Sequence, residues 1–196
     1  MHHFSVRKIG MKNMLKRYFT SCPHALRREI LKEFEYVNGV VLDVGCGKGG
    51  PAKMLSEKCN YIIGVDISNV FDKSKISANL DFLQADALSL PFRDESFDAA
   101  VSFDVIEHVQ NDLKFLREIR RVLKRGGKLL LETPNRNRLS LKLKSLVKPI
   151  KYSMILGPNC IHLREYMEEE LEEKLMIVGF KNIRIRGVWL GLRGRF

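Results

Sequence analysis

The stretch Val40-Val41-Leu42-Asp43-Val44-Gly45-Cys46-Gly47-Lys48-Gly49-Gly50-Pro51 decides the fold. Its apolar, mostly β-branched start makes a short buried strand, and the glycines behind it demand a sharp turn. Pro51 is tolerated in the first turn of a helix and marks one there. Downstream, Tyr61-Ile62-Ile63-Gly64-Val65-Asp66 repeats the pattern of an apolar strand ending in an acid. The rhythm continues with strands at 80–85 and 97–103, an amphipathic helix carrying Leu113, Leu116, Ile119 and Leu123, and a strand at 128–132. Such alternation predicts an α/β, Rossmann-like, doubly wound, mostly parallel sheet with helices on both faces.

Working outward, Ser21 and Pro23 read as the start of a helix whose apolar positions Leu26, Ile30, Phe34 and Val37 recur at helical spacing. Between Pro134 and His162 the alternation breaks. Leu139, Leu143, Leu146 and Val147 share a helical face there with Lys144 and Lys148 opposite, although Pro149 should end any helix and the Leu139, Leu141, Leu143 alternation also fits a strand; the segment reads as an insertion, either mobile or a lid. A charged helix follows from Glu168 to Ile177, ended by Gly179, and a closing strand runs from Phe180 to Trp189. The 196 residues are therefore expected to form a single domain. Its parts are an N-terminal helical cap at 1–38, a core at 39–134, an insertion at 135–161, and a last helix with closing strands at 162–196.

Composition narrows the setting. No apolar run is long enough to cross a bilayer and the N-terminus mixes His2, His3, Arg7, Lys8 and Lys12, so a cytoplasmic location is expected. Cys22, Cys46, Cys59 and Cys160 lack CxxC spacing, which argues for reduced thiols and against a zinc site or a disulfide framework, and no metal is expected. The net charge of +11 is unevenly spread: +5 over residues 1–38, −1 over 39–135 and +7 over 136–196. Basic flanks suit an anionic membrane surface, nucleic acid or an acidic substrate, and a solvated lysine-rich surface explains them equally well.

The turn Gly45-x-Gly47-x-x-Gly50 satisfies the dinucleotide fingerprint and cannot alone separate a nicotinamide cofactor from S-adenosylmethionine. Asp43 separates them. A carboxylate two residues before the first glycine would repel a pyrophosphate, whereas S-adenosylmethionine has no phosphate and carries an ammonium and a sulfonium. Gly45, Gly47 and Gly49 let the backbone approach such a ligand closely. Asp66 ends the second strand where a Rossmann fold places the acid that accepts the ribose hydroxyls, although it could instead cap the next element. Asp86 follows the third strand and is placed to accept from an adenine amino group, with a surface turn as the alternative.

Taken in order, the motifs resemble those of class I methyltransferases. They are Val41 to Gly49, Gly64-Val65-Asp66, Asp86-Ala87 with Leu90-Pro91-Phe92, Phe97-Asp98, and Leu123-Lys124-Arg125-Gly126-Gly127-Lys128-Leu129. The resemblance covers about residues 38–183 and implies a seven-stranded sheet whose last strand runs antiparallel. Only Leu190 to Phe196 remain beyond Trp189, so that strand is expected to be short or absent. The resemblance also implies that Asp43 and the glycines, with Cys46, hold the methionine part of S-adenosylmethionine. Asp66 with Ile67 would hold the ribose, Asp86 with Ala87 the adenine, and Phe103 would complete the cofactor contacts.

Methyl transfer is an in-line displacement on a sulfonium, so a nucleophile must be held about 3 Å from the methyl carbon in a dry pocket. A base is needed only when the nucleophile must lose a proton. In Ser102-Phe103-Asp104-Val105-Ile106-Glu107-His108-Val109, His108 is the candidate base and Glu107 its orienting or substrate-binding partner. This segment resembles the Glu-His-Val stretch of small-molecule methyltransferases, the quinone-biosynthesis branch among them. His162-Leu163-Arg164-Glu165-Tyr166 resembles their substrate-closing segment, which makes His162 a third catalytic candidate, with Tyr166 and Arg164 nearby. A helix cap and salt-bridge cluster is the competing explanation of that segment.

These readings converge on O- or C-methylation of a small-molecule or lipid acceptor, with peripheral contact to an anionic membrane through the basic insertion. RNA methylation is the alternative that the basic flanks support. Glu132-Thr133-Pro134-Asn135 does not match the Asn/Asp-Pro-Pro-aromatic signature of exocyclic amine methylation. A non-catalytic binding protein of the same fold is a third reading, against which the three acids Asp43, Asp66 and Asp86 speak.

Overall fold

A computed structural model describes residues 39–136 and 162–185. Strand β1 (Val40–Val44) turns through the glycine loop into helix α1 (Gly50–Ser56) and returns as β2 (Tyr61–Asp66). A 3₁₀ turn at Lys73–Lys75 leads to β3 (Leu80–Gln84), then come β4 (Phe97–Phe103), α2 (Asp112–Val122), β5 (Leu123–Glu132) and α3 (Glu168–Val178). The strands form one sheet in the order β3-β2-β1-β4-β5, with every pairing parallel. The order reverses between β1 and β4, the topological switch point at whose carboxyl edge open α/β sheets bind ligands.

Strand alternation builds the two layers. Leu42 and Val44 join Ala100, Phe115, Leu116 and Ile119 in a core beneath α2, while Val41 joins Ala52, Leu55, Ile62, Val101 and Phe103 in a second core beneath α1. Helices thus cover both faces, as expected. Helix α2 starts where Asn111 Oδ1 accepts from Lys114 N at 2.9 Å and buries Phe115, Leu116, Ile119 and Val122 at i, i+1, i+4 and i+7. Helix α3 begins with Glu170 accepting from Met167 N at 3.0 Å and ends at Gly179, whose φ of 96° is the left-handed conformation expected of that glycine.

Two boundaries differ from the expectation. Leu123 was assigned to the helix, yet it opens β5 by pairing with Phe97, and the strand resumes at Lys128 opposite Ala99. The chain escapes the helix through a bulge at Lys124–Gly127, where Gly126 takes φ +77° and Lys124 Nζ reaches Asp98 Oδ1 at 2.8 Å. Asp98 Oδ2 also accepts from Val40 N at 2.8 Å, so this acid ties the starts of β1 and β5 to β4. In addition, no helix follows Asp66 directly; residues 67–72 are irregular.

Within 180–185 the expected closing strand is not formed. The rest of that strand, the antiparallel last strand, the N-terminal helical cap and the insertion at 137–161 lie outside the described residues. Among the described residues no helix is long and apolar enough to cross a membrane.

Candidate active site

The carboxyl edge of the sheet carries two sets of residues that meet at the switch point. The first is the glycine turn. Gly45 N and Cys46 N both donate to Val65 O, at 2.8 and 3.0 Å, and Gly49 N donates to Cys46 O at 2.8 Å, which folds the turn tightly against the end of β2. Gly45, Gly47 and Gly49 all take positive φ, the left-handed region that other residues enter at a cost. A Cβ at Gly47 would meet nothing within 4 Å, so the turn presents open space on that side.

Asp43 is 1% exposed and shares the sheet face of Val41, one residue short of the end of β1. Asp66 does two jobs for the loop: its Oδ2 accepts from Gly47 N and its Oδ1 from Ser68 N, both at 2.9 Å. A carboxylate has about four lone-pair sites, so each oxygen of Asp66 keeps one acceptor site after holding the loop. Ile67 stands beside it 68% exposed, an apolar side chain on open ground. Asp86 is exposed and its Oδ1 accepts from Leu88 N at 2.8 Å, so the surface-turn reading of this acid is realised and its second oxygen faces away from that bond. Ala87 is half-buried against the core beneath α2.

Two of the expected cofactor contacts have buried side chains. The Cys46 side chain is buried, its sulfur lying where a Cβ on Gly64 would come within 2.9 Å of it. Burial, helped by the carboxylates of Asp43 and Asp66, pushes its thiol far above the ordinary range and disfavours the thiolate. Phe103 is also buried, in the core beneath α1.

The second set follows β4. Asp104 takes φ +54° and reverses the chain, its N–H donating to Glu132 O at 3.1 Å. Glu107 comes next and is fully buried, with Oε2 accepting from Thr133 Oγ1 at 2.9 Å and Oε1 without a hydrogen-bond partner. Burial pushes its carboxyl up to about 7. The His108 and His162 rings lie with centroids 5.0 Å apart at 70°, and one ligand atom from each of Glu107, His108 and His162 lies within 4.8 Å of the others. All three catalytic candidates from the sequence are thus brought together.

What brings His162 there is a staple. Leu163 N donates to Glu107 O at 2.9 Å, and His162 Nδ1 meets the buried Glu165 at 3.0 Å. Tyr166 hydroxyl donates to Asp112 Oδ2 at 3.0 Å, and Arg164 donates to Gln110 O at 2.9 Å with Asp112 3.4 Å away. Lys174 reaches the same carboxylate at 3.1 Å. Tyr166 and Arg164 therefore dock the segment, contacts of the kind the helix-cap and salt-bridge explanation expects. Sequence reasoning missed Thr133, Asp112 and Glu165; Glu165 and Thr133 lie inside the quoted His162 to Tyr166 and Glu132 to Asn135 stretches, whereas Asp112 carried no signal.

The two sets touch. A Cβ on Gly45 would stand 2.1 Å from Val105 Cγ2, so the glycine turn and the segment carrying Glu107 and His108 are packed side by side and require glycine at the contact. A third structural element frames the far end. Arg121 donates to Phe92 O at 2.7 Å, to Leu90 O at 2.9 Å, to Asp94 at 2.8 Å and to Glu118, which itself accepts from Leu90 N at 2.8 Å. That network fixes the Leu90-Pro91-Phe92 loop beyond Asp86.

Comparison with known proteins agrees with this geometry. Residues 42–131 match the methyltransferase domain family. A protein of Mycobacterium tuberculosis named a probable S-adenosylmethionine-dependent methyltransferase is 31% identical over 161 residues, covering 79% of this chain and 53% of its own length. The chain thus spans about half the length of that relative. Sterol 24-C-methyltransferase of Gibberella zeae is 38% identical over 96 residues, 44% of this chain and 25% of the relative. Among solved structures, an S-adenosylmethionine-dependent methyltransferase of Thermotoga maritima, described as a possible histamine N-methyltransferase, superposes with a TM-score of 0.65 at 25% identity, over 88% of this chain and 78% of the other. With the parallel sheet, the glycine turn and the acids at its carboxyl edge, these similarities place the chain in the class I S-adenosylmethionine-dependent methyltransferase family.

Proposed function

We propose that this chain transfers a methyl group from S-adenosylmethionine to an oxygen or carbon of a small-molecule or lipid acceptor. The observation that carries the reading is the contact of Gly45 with Val105, which sets a cofactor-type turn directly against a segment carrying a buried acid and a histidine. The residues fit the cofactor: the open side of Gly47 leaves space, the buried Asp43 suits a cation, and Asp66 retains one acceptor per oxygen for two ribose hydroxyls. The exposed Ile67 offers an apolar surface to the nucleoside, and Asp86 an acceptor for the adenine amine. When bound, S-adenosylmethionine supplies an electrophilic methyl group on a sulfonium.

The chain's own residues do the rest. Asp66 fixes the turn through Gly47 N, Val105 walls it from the acceptor side, and His108 takes the acceptor's proton while Glu107 sets the polarity of the pocket. A lipid acceptor draws support from the sterol 24-C-methyltransferase relative. The +7 charge of residues 136–196 adds attraction to anionic membrane surfaces. The test is incubation with methyl-labelled cofactor and separate lipid, small-metabolite and RNA extracts. Label in the lipid or metabolite fraction is expected; label confined to RNA would replace the acceptor class, and no label in any fraction would count against catalysis.

A further inference from the structure

We propose that Glu107, His108 and His162 bind a divalent first-row transition ion such as zinc. The proposal rests on the functional reading only in placing the acceptor beside this cluster; the ion site itself stands on the geometry. Two imidazoles and one carboxylate are a donor set that zinc accepts, leaving a fourth position open in catalytic sites. One donor atom from each of the three residues lies within 4.8 Å of the others. Zinc bonds of about 2.0–2.2 Å place tetrahedral donors about 3.3–3.6 Å apart. Ion binding would have to draw the donors together by up to about 1.5 Å.

Three further features point to a cation. Glu107 is fully buried, yet among the described residues its Oε1 has no hydrogen-bond partner while Oε2 is held by Thr133, which leaves one oxygen of a fixed carboxylate to be satisfied by a ligand. Glu165, itself buried, meets His162 Nδ1 at 3.0 Å, a carboxylate behind the imidazole of the kind that orients the ring of a metal-binding histidine. Asp104 adds negative charge near Glu107. The segments that bring the donors together, 104–108 and 162–166, are tied by the Leu163 N to Glu107 O bond, so the set spans two parts of the chain that the fold joins deliberately at this point.

The chemistry deepens the proposed reaction. An ion held by the three donors would offer its open position to the acceptor oxygen and lower the pKa of its hydroxyl; the proton would leave to solvent, and as the oxygen bonds the methyl carbon the sulfonium–carbon bond breaks and the neutral thioether leaves. With the ion bound, the His108 lone pair is engaged and the ion replaces it as the means of activating the acceptor.

The test uses the full chain, freed of metal by chelator. The chain has five histidines, so a background with His2, His3 and His24 replaced by alanine leaves only the two in question. Cobalt(II) titration of that protein should develop visible d–d absorption that saturates at one equivalent and is displaced by zinc. Glu107→Gln and His162→Ala should each weaken binding at least tenfold. Because either variant could fail to fold, ring-proton NMR of the protein with Glu107 and His162 intact gives a second readout: one equivalent of zinc should move the signals of both His108 and His162. Absence of a saturable spectrum, or zinc shifting neither ring, would overturn the site, as would a cobalt spectrum unchanged in folded Glu107→Gln. Calorimetric binding of S-adenosylhomocysteine to the metal-free protein tests the cofactor reading separately, so the two can fail independently.

Discussion

Replacing Asp66 with alanine separates what this acid does for the fold from what it does for the cofactor. In the free protein the carboxylate holds two backbone donors, Gly47 N and Ser68 N, each at 2.9 Å. Ser68 is exposed and water substitutes at its N–H, so the loss of stability comes mainly from the half-buried Gly47 bond and should be about 1 kcal/mol. With cofactor bound, the variant also lacks the acceptors for two ribose hydroxyls. Hydrogen bonds to a charged group are worth about 1.5–3 kcal/mol, which converts to a roughly 10- to 150-fold rise in Kd for S-adenosylmethionine and S-adenosylhomocysteine alike. Asp66→Asn keeps one carbonyl acceptor and should fall between wild type and alanine. Titration calorimetry measures both ligands, with near-UV circular dichroism verifying that the variants are folded. An unchanged Kd in folded Asp66→Ala would refute the ribose assignment and leave Asp66 as the loop's anchor alone.

Gly45→Ala should destabilise the chain by about 2–4 kcal/mol, because its Cβ meets Val105 Cγ2 at 2.1 Å and its φ of +78° strains any side chain; an unshifted denaturant midpoint would show that Val105 moves freely. Arg121→Ala removes the ties to Leu90, Phe92, Asp94 and Glu118. With the guanidinium partly open to solvent the expected loss is about 1–2 kcal/mol, together with faster amide exchange over 86–94, and unaltered exchange there would sever the loop from this network. His108→Ala should lower turnover about 10²–10⁴-fold while calorimetric affinity for S-adenosylhomocysteine stays within about twofold of wild type; full turnover with the true acceptor would reduce His108 to a packing residue.

The parts of the fold that were legible in the sequence are those where one local rule sufficed. The β-branched run at 40–44 could only be a buried strand, and Pro51 and Gly179 punctuate helices for steric reasons that need no neighbour. The end of α2 was not legible in this way. Leu123 continues the helical apolar spacing, and what removes it from the helix is its pairing with Phe97 across the sheet together with the Lys124–Asp98 bond. Those partners lie 26 residues apart for each pair, beyond any local pattern.

The site divides along the same line. The placement of Asp43 and Asp66 is readable because strand ends and glycine turns are local, whereas the burial of the Cys46 and Phe103 side chains depends on the packed sheet and is invisible in a motif. On the acceptor side the residue types of Glu107, His108 and His162 were visible, but their convergence depends on Leu163 docking on Glu107 and on Tyr166, Arg164 and Lys174 sharing Asp112. Asp112 sits in the first turn of α2 and looks, in sequence, like an ordinary helix-start acid. Only 9% exposed and faced by one hydroxyl and two cations, it is the point where α3 and the segment before it are fastened to the start of α2. Because that fastening also brings His162 to His108, packing of α3 and assembly of the histidine pair share the same contacts. Binding there is consequently coupled to the stability of the C-terminal segment in a way that the strand-end acids are not.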